Sequence, residues 1–215
     1  MACAPFGGGG GGIAGAAPRS ARRSQARPFT SPPRAHALGC FSDGGAVGGS
    51  LSAGRHGGLS PGLSNTDSNF TFTFSGTLSG CQSNDPSAPA QGTTTVGQRI
   101  VVNGVTAQEP AASGSGSCAT SNGSGIAIAS WADGTVTVVS FTTQTATGAV
   151  NLQGTVIPSV TLPVVGGGTV TVTTTRYAGD QAQGVLAFQA DPTQCAGSGV
   201  TSAAVNGTVG VGSAQ

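Results

Sequence analysis

Residues 69–74 decide the fold, and they read Asn-Phe-Thr-Phe-Thr-Phe. Successive side chains of an extended chain point to opposite faces, so the three phenylalanines share one face and the two threonines share the other. Alternation with a period of two is typical of a β-strand that buries one face. This stretch therefore predicts a half-buried strand, which needs neighbouring strands of the same kind.

The sequence that follows this strand continues the pattern. Alternating runs at 125–131 and 135–143 flank Asp133-Gly134, a pair that accepts the positive φ angles of a tight hairpin turn. Further strands are predicted at 99–105, 148–157, 159–165, 169–177, 184–189 and 203–211. About eight short strands without helical periodicity predict an all-β fold, a single antiparallel β-sandwich or barrel over residues 59–215.

The alternation also predicts which side chains fill the core. The inward set comprises Phe70, Phe72, Phe74, Ile100, Val102, Ile126, Ile128, Val136, Val138, Leu152, Val170, Val172, Leu186, Phe188, Val205 and Val209. The opposite faces carry mainly Thr and Ser. Charged side chains normally protect edge strands from pairing with other molecules, so their scarcity makes self-association a predicted mode of interaction.

Charge is scarce and unevenly placed. Only 7% of the 215 residues are charged, against about 25% in an average globular protein, and all 8 cations are Arg. Residues 1–60 hold six Arg and one Asp, a net charge of +5, whereas residues 61–215 hold two Arg and six acids, a net charge of −4. We therefore expect no binding of nucleic acid. The sequence contains no apolar run of about 18 residues, so no membrane span is predicted.

The first 58 residues differ from the rest in composition. They are rich in Gly, Ala, Arg and Pro and hold few large aliphatic side chains, so burial cannot repay the entropy of ordering them. We predict a disordered tail over residues 1–58. Its deletion should leave the melting temperature of the β-domain over residues 59–215 unchanged.

The origin of this tail has three interpretations. A secretory signal fits poorly, because no apolar run follows the arginines at 22–23. An organelle transit peptide is compatible with a segment that is rich in Arg and poor in acids. The favoured interpretation is a start site assigned too far upstream, since GC-rich codons encode this composition and residues 1–60 hold one Thr against 25 in residues 61–215.

Five cysteines are present, and three of them lie in the predicted domain. Cys81, Cys118 and Cys195 are the disulfide candidates, whereas Cys3 and Cys40 fall in the predicted tail. The domain has no C-x-x-C pair and no His, so neither a zinc site nor a catalytic thiol is predicted. Disulfides persist in oxidising compartments, so the cysteines favour a secreted or cell-envelope protein.

Six short stretches of the predicted domain occur in a distinctive order. They are LSPGLSNT at 59–66, FSGTLSGC at 74–81, GSC at 116–118, WADGT at 131–135, YAGD at 177–180 and, after Cys195, GVTS at 199–202. In this order they resemble a family of small secreted actinobacterial proteins of unknown function, over about residues 59–215. The resemblance implies one secreted β-domain.

The same resemblance implies four cysteines in two disulfides, with one Cys shortly before the SPGL-like stretch. Residues 52–58 read SAGRHGG and contain no Cys. One of the three cysteines of the domain is therefore left without its expected partner. This departure also favours the misassigned start site.

The sequence contains no arrangement of residues that is typical of a catalytic site. Residues 58–62 match G-x-S-x-G, but Pro61 follows the Ser directly and no His occurs after His56, so a nucleophile elbow is not predicted. Three of the six acids of the domain precede Gly or Pro, positions where Asp serves turn hydrogen bonding. We predict no catalytic residue, no metal site and no cofactor.

Four residues are weak candidates for a binding site: Glu109, Trp131, Tyr177 and Asp180. Glu109 is the only Glu of the chain, and Asp180 lies close to the only Tyr. Turn formation does not account for either acid. The single Trp and the single Tyr could offer an apolar ring with a polar tip to a ligand.

These observations favour a non-enzymatic structural or binding module, secreted or in the cell envelope, with an unidentified ligand. One alternative is an extracellular hydrolase, which needs two carboxylates within about 5–10 Å of each other. The other is a carbohydrate-binding module on cell-wall glycan, which needs an exposed Trp131 or Tyr177. The distance between the carboxylates and the exposure of the two aromatic rings distinguish the three hypotheses.

Overall fold

The computed structural model describes residues 37–42, 57–83 and 85–212, whose regular secondary structure is almost entirely β-strand. The strands are β1 Ala37–Ser42, β2 Gly57–Leu63, β3 Ser68–Ser83, β4 Gly92–Val96, β5 Arg99–Val102, β6 Val105–Gln108, β7 Ala112–Gly116, β8 Thr120–Trp131, β9 Val136–Ala146, β10 Ala149–Ile157, β11 Ser159–Pro163, β12 Thr169–Thr173, β13 Gln181–Gln189 and β14 Val200–Gly212. One helical turn, α1 Pro192–Ala196, lies between β13 and β14. The all-β prediction is confirmed. Among these residues no helix has the length and apolarity needed to cross a membrane.

Most of the strands form one closed antiparallel barrel with eight positions. The ring runs through β3, the β4/β7 position, β8, β9, β10, β13, β14 and the β1/β2 position, which returns to β3. Two short strands share each double position: β4 and β7 both pair with β3 and β8, and β1 and β2 both lie between β14 and β3. Of the two predicted architectures, the barrel is the correct one.

The two ends of the barrel differ in their connections. The disulfide end carries the connections 64–67, 117–119, 147–148 and 190–199, the last of which includes α1. The tryptophan end carries the connections 85–91, 132–135 and 174–180. Backbone hydrogen bonds join neighbouring connections at the disulfide end, for example from the amide of Cys118 to the carbonyl of Ser64 at 2.8 Å.

Phenylalanines of β3 pack against glycines of the neighbouring strands inside the barrel. The three Phe of 70–74 face inward, as their alternation predicts, and the rings of Phe70 and Phe72 lie 6.1 Å apart. A Cβ atom at Gly114 of β7 would collide with the ring of Phe70, and one at Gly123 of β8 would lie 3.0 Å from the ring of Phe72. Glycine at these positions therefore gives the rings their space.

A second apolar layer covers the outside of the barrel. The hairpins β5–β6 and β11–β12 pack over β8 and β9, and the two hairpins meet in a bridge between Ala107 and Val164. The buried residues of this outer layer are Ala107, Ile128, Val138, Leu162 and Val172. Strands β8 and β9 are therefore apolar on both faces, which is the pattern of strands buried on both sides.

Half of the predicted inward set belongs to this outer layer. These residues are Ile100, Val102, Ile126, Ile128, Val136, Val138, Val170 and Val172. All eight belong to an apolar core, as predicted, but it is the core of the outer layer. For the four on β8 and β9 the predicted direction was wrong, because the alternate residues such as Ala127, Val139 and Phe141 line the barrel interior. The remaining predicted core residues of β3, β10, β13 and β14 do face inward.

The stretch 99–105, predicted as one strand, is a hairpin. Strand β5 ends at Val102 and β6 begins at Val105, with Asn103 and Gly104 between them at φ angles of 51° and 79°. Two successive positive φ angles define the type I′ turn, for which Asn-Gly is the preferred sequence. The Asn-Gly pair at 103–104 is therefore the sequence feature that divides this stretch into two strands.

Strand β1 lies within the segment predicted to be a tail. Residues 37–42 pair with β14 along its last six residues and with β3 near its end. Strand β2 likewise begins at Gly57, before the predicted boundary of the domain at residue 59. The rest of the predicted tail, residues 1–36 and 43–56, lies outside the described residues.

Candidate functional site

The barrel contains an interior cavity of about 370 Å³. Its walls are mostly apolar and come from strands around the whole ring, with Phe70, Ala127, Phe141, Leu152, Leu186 and Val209 among the lining residues. Sites for small molecules usually measure about 300–1,000 Å³, and an eight-stranded barrel is wide enough to hold one small ligand. This cavity is the candidate functional site.

Small side chains on β8 leave room for the cavity. Ala127 and Ala129 face the interior with only a methyl group each, and both line the cavity. The glycine at 123 also lines it. Because side chains on one face of a strand stand side by side, a longer side chain at 127 or 129 would extend into this space.

Trp131 lines the cavity at the tryptophan end of the barrel. Its side chain is 5% exposed, and its indole N–H donates to the Thr137 hydroxyl at 2.8 Å. That hydroxyl is fully buried and donates in turn to the backbone carbonyl of Arg176 at 3.1 Å. The Tyr177 ring packs edge-on against the indole, with the ring centroids 6.1 Å apart. The two aromatic candidates are therefore brought together, as packing at the tryptophan end.

Arg176 ties three connections across this end. Its guanidinium lies 3.0 Å from the Asp133 carboxylate and 3.6 Å from the Asp85 carboxylate, donates to the Ser87 carbonyl at 3.2 Å, and stands 5.7 Å from the centre of the Tyr177 ring. The Thr135 hydroxyl and amide, followed by Arg176, hold the pKa of Asp133 below its ordinary value. Burial raises the pKa of Tyr177. An ion-paired cluster thus links the three connections at the tryptophan end.

A polar cleft of about 450 Å³ lies at the disulfide end. It is lined by Asp67, Ser68, Asn69, Ser115, Gly116, Thr120, Ser121, Asn122 and Thr145. Ser121, Asn122 and Thr145 also line the apolar cavity, so the two spaces adjoin. The interior of the barrel therefore meets a hydrogen-bonding surface at this end.

One disulfide stabilises the connections around the cleft. Cys118 and Cys195, two of the three predicted candidates, are bonded to each other across 77 residues of sequence. The Asn65 amide donates to the Cys195 carbonyl at 3.1 Å, which adds the connection before β3 to the same assembly. Cys81, the third candidate, is disulfide-bonded as well.

Glu109 is a buried acid of the outer layer and does not line the cavity. It is 2% exposed, and its two carboxylate oxygens accept hydrogen bonds from the Thr95 hydroxyl at 2.6 Å and the Gln98 amide at 2.9 Å. Burial raises the pKa of Glu109, and both hydrogen bonds oppose that rise. The candidate is explained as a structural link between β4 and the residue that follows β6.

Asp180 lies at the tryptophan end, just before β13. Its backbone amide donates to the Tyr177 carbonyl at 3.0 Å, and its carbonyl accepts from the Val156 amide at 2.8 Å. These bonds give Asp180 a role in the turn that leads into β13.

In the described part of the chain, no group of three or more His, Cys, Asp or Glu side chains converges as metal ligands would.

The residues that join the cavity to the cleft were not predicted. Ser121 and Thr145 are ordinary polar positions of alternating strands, and nothing in their local sequence marks them. The available sequence signal for a cavity was the run GSGIAIAS at 123–130, where every second residue is Gly or Ala.

Comparisons with protein-family models, with curated proteins and with solved structures find no match for this chain.

Proposed function

We propose that this protein is a non-enzymatic binding module, secreted or in the cell envelope, that holds a small apolar ligand inside its barrel. The interior cavity of about 370 Å³ is the observation that carries the proposal. Protein interiors are close-packed and hold few voids larger than a water molecule. An apolar cavity of this size therefore favours a ligand that fills it and restores the missing contacts.

The disulfides support the location in this proposal. A bonded Cys118–Cys195 pair and a bonded Cys81 fit an oxidising compartment better than the cytosol. The exposed strand positions, which are mainly uncharged polar residues, fit the same location.

Burial and hydrogen bonding favour this hypothesis over its two alternatives. Trp131 is buried and Tyr177 is half-buried against it, so the pair is a poor platform for stacking a sugar. Both carboxylate oxygens of Glu109 are engaged by Thr95 and Gln98, which suits a structural role better than general acid catalysis. The apolar cavity has no comparable structural explanation.

Binding of the neutral fluorophore N-phenyl-1-naphthylamine tests the proposal. We expect saturable binding at one site per chain, with increased fluorescence as the probe leaves water. Ala127→Leu narrows the cavity and should weaken binding, since added methylenes occupy the ligand's space. Ser124→Leu is the matched control, because Ser124 is exposed on the opposite face of the same strand.

The melting temperature of each variant shows whether it is folded. Val139→Phe, on the neighbouring strand β9, provides a second way to fill the same cavity. Absence of probe binding to the wild-type chain would overturn the proposal. Equal binding by the wild type and by two folded, cavity-filled variants would place the probe elsewhere and would also overturn it.

A further inference from the structure

The lining of the barrel changes from polar to apolar along β8 and β9. From the disulfide end inward, the facing cross-strand pairs are Ser121 with Thr145, Gly123 with Thr143, Gly125 with Phe141, and Ala127 with Val139. The first two pairs offer hydroxyl groups and the next two offer only apolar groups. A ligand that matches this gradient carries a polar group at one end and an apolar body at the other.

The adjoining cleft supplies many more hydrogen-bonding groups than an apolar ligand needs. Asp67, Asn69 and Asn122 are among its lining residues, and the others are mainly Ser and Thr, so every lining residue except Gly116 is of a polar type. Hydroxyl groups of a ligand both donate and accept hydrogen bonds, so they match this mixture of acceptors and donors. The cleft is therefore suited to a head group rich in hydroxyls.

The charges of the described residues disfavour an anionic head. In the described part of the chain the cations are Arg99, which lies on β5 in the outer layer, and Arg176, which is paired at the opposite end. The cleft instead carries the exposed carboxylate of Asp67. An anionic head would meet a like charge without a counter-charge from these residues.

We propose that the ligand is an amphiphile, with its apolar body in the barrel and an uncharged, hydroxyl-bearing head in the cleft at the disulfide end. This inference rests on the proposed function, because it requires that the cavity binds an apolar group. It also fixes the orientation, since the buried Trp131 and the ion-paired Arg176 cluster occupy the other end.

Three probes with the same eight-carbon chain test the inference: octyl glucoside, 1-octanol and octyl sulfate. Each is titrated by calorimetry into the full chain below its critical micelle concentration. We expect octyl glucoside to bind at least about five-fold more tightly than 1-octanol, the factor expected for one net hydrogen bond. Octyl sulfate should bind more weakly than 1-octanol.

Variants locate the head group. Thr145→Val should weaken binding of octyl glucoside about five-fold, because it removes a hydroxyl and keeps the shape. Binding of 1-octanol, whose head is a single hydroxyl, should weaken less. Asp67→Asn should strengthen binding of octyl sulfate. Thr142→Val is the matched control, since Thr142 lies on the exposed outer face of β9.

The possible failures are distinguishable. Equal affinity for the three probes, or tightest binding of octyl sulfate, would overturn the amphiphile and leave apolar binding in the barrel intact. A Thr145→Val variant that weakens 1-octanol binding as much as or more than octyl glucoside binding would contradict the proposed orientation. If neither 1-octanol nor N-phenyl-1-naphthylamine binds the wild-type chain, the proposed function itself fails.

Discussion

At the scale of single residues, the most unusual acid of the chain has a structural role. A buried carboxylate is costly unless its oxygens accept hydrogen bonds, and Glu109 accepts one on each oxygen. Its own amide donates to the Gln98 carbonyl at 2.9 Å, so the same two residues are joined twice. The link stabilises the base of the β5–β6 hairpin, which covers the outside of the barrel.

Glu109 should make stability depend on pH. Burial raises its pKa above the ordinary 4.5, so the native protein keeps the proton at pH values where the unfolded chain has lost it. The native state then binds more protons, and the free energy of unfolding falls as the pH rises from the unfolded pKa through the native pKa. This contribution is absent from Glu109→Gln.

Denaturant unfolding of both proteins between about pH 4 and 7 measures the effect. We expect the stability of the wild type relative to Glu109→Gln to decrease as the pH rises. The lowered pKa values of Asp133 and Asp191 act in both proteins and cancel in this difference. Thr95→Val removes a hydrogen bond that lowers the Glu109 pKa, so its own pH dependence should be steeper. A difference that stays constant or increases with pH would contradict the assignment.

Local sequence identified unusual residues but not their surroundings. Trp131 and Glu109 stood out because each is the only residue of its type. Their burial depends on partners that are distant in sequence, such as Tyr177 beside the indole and Thr95 beside the carboxylate. No pattern within a few residues of Trp131 or Glu109 reveals such a partner.

At the scale of the elements, local patterns predicted strands and turns well. The hairpin of β8 and β9 was predicted because Asp133-Gly134 and the flanking alternation are both short-range signals. The direction of Ile128 and Val138 was not predictable, because both faces of these strands are buried and alternation marks only that two faces exist. The short strands β4 and β7 were missed, since they share one position of the ring and have few large side chains.

The pairing of β1 with β3 predicts a second specific disulfide. Gly39 stands opposite Gln82 and Phe41 opposite Ser79, so the backbone of residue 40 lies opposite residues 80 and 81. Opposed residues of antiparallel strands have Cα separations of about 4.5–5.5 Å, which suit a disulfide. Because Cys81 is disulfide-bonded, we expect Cys40 to be its partner.

Peptide mapping under non-reducing conditions tests this pairing. Digestion of the full chain should release one linked pair containing Cys40 and Cys81 and another containing Cys118 and Cys195, and both should separate on reduction. The second pair is the internal control, because the structure contains it. A peptide that links Cys81 to Cys3, or a Cys81 that reacts with an alkylating reagent before reduction, would show that the register of β1 is not as described.

At the scale of the whole molecule, closure of the barrel could not be predicted from the sequence. A sandwich and a barrel use the same alternating strands and differ in whether the first and last strands meet. Here β14 meets β3 through β1 and β2, which were not among the predicted strands. The cavity forms only when the ring closes, so the sequence patterns did not predict it either.

Closure through β1 changes the expected effect of removing the N-terminal segment. Deletion of residues 1–56 keeps β2 and removes β1, which leaves residues 207–212 of β14 and the end of β3 without their neighbour. Exposed pairing edges and lost contacts should lower the melting temperature by at least about 5 °C, since a domain of this size shifts about 2–4 °C for each kcal/mol.

Deletion of residues 1–34 is the matched control, because it keeps every strand of the barrel. Thermal unfolding of the full chain and both truncated chains, followed by circular dichroism, gives the comparison. A full-length Cys81→Ser variant separates loss of the disulfide from loss of the strand: if β1 closes the barrel, deletion of 1–56 should destabilise more than this substitution. Equal melting temperatures for the two truncated chains would show that the barrel is stable without β1, and the domain would then begin at β2.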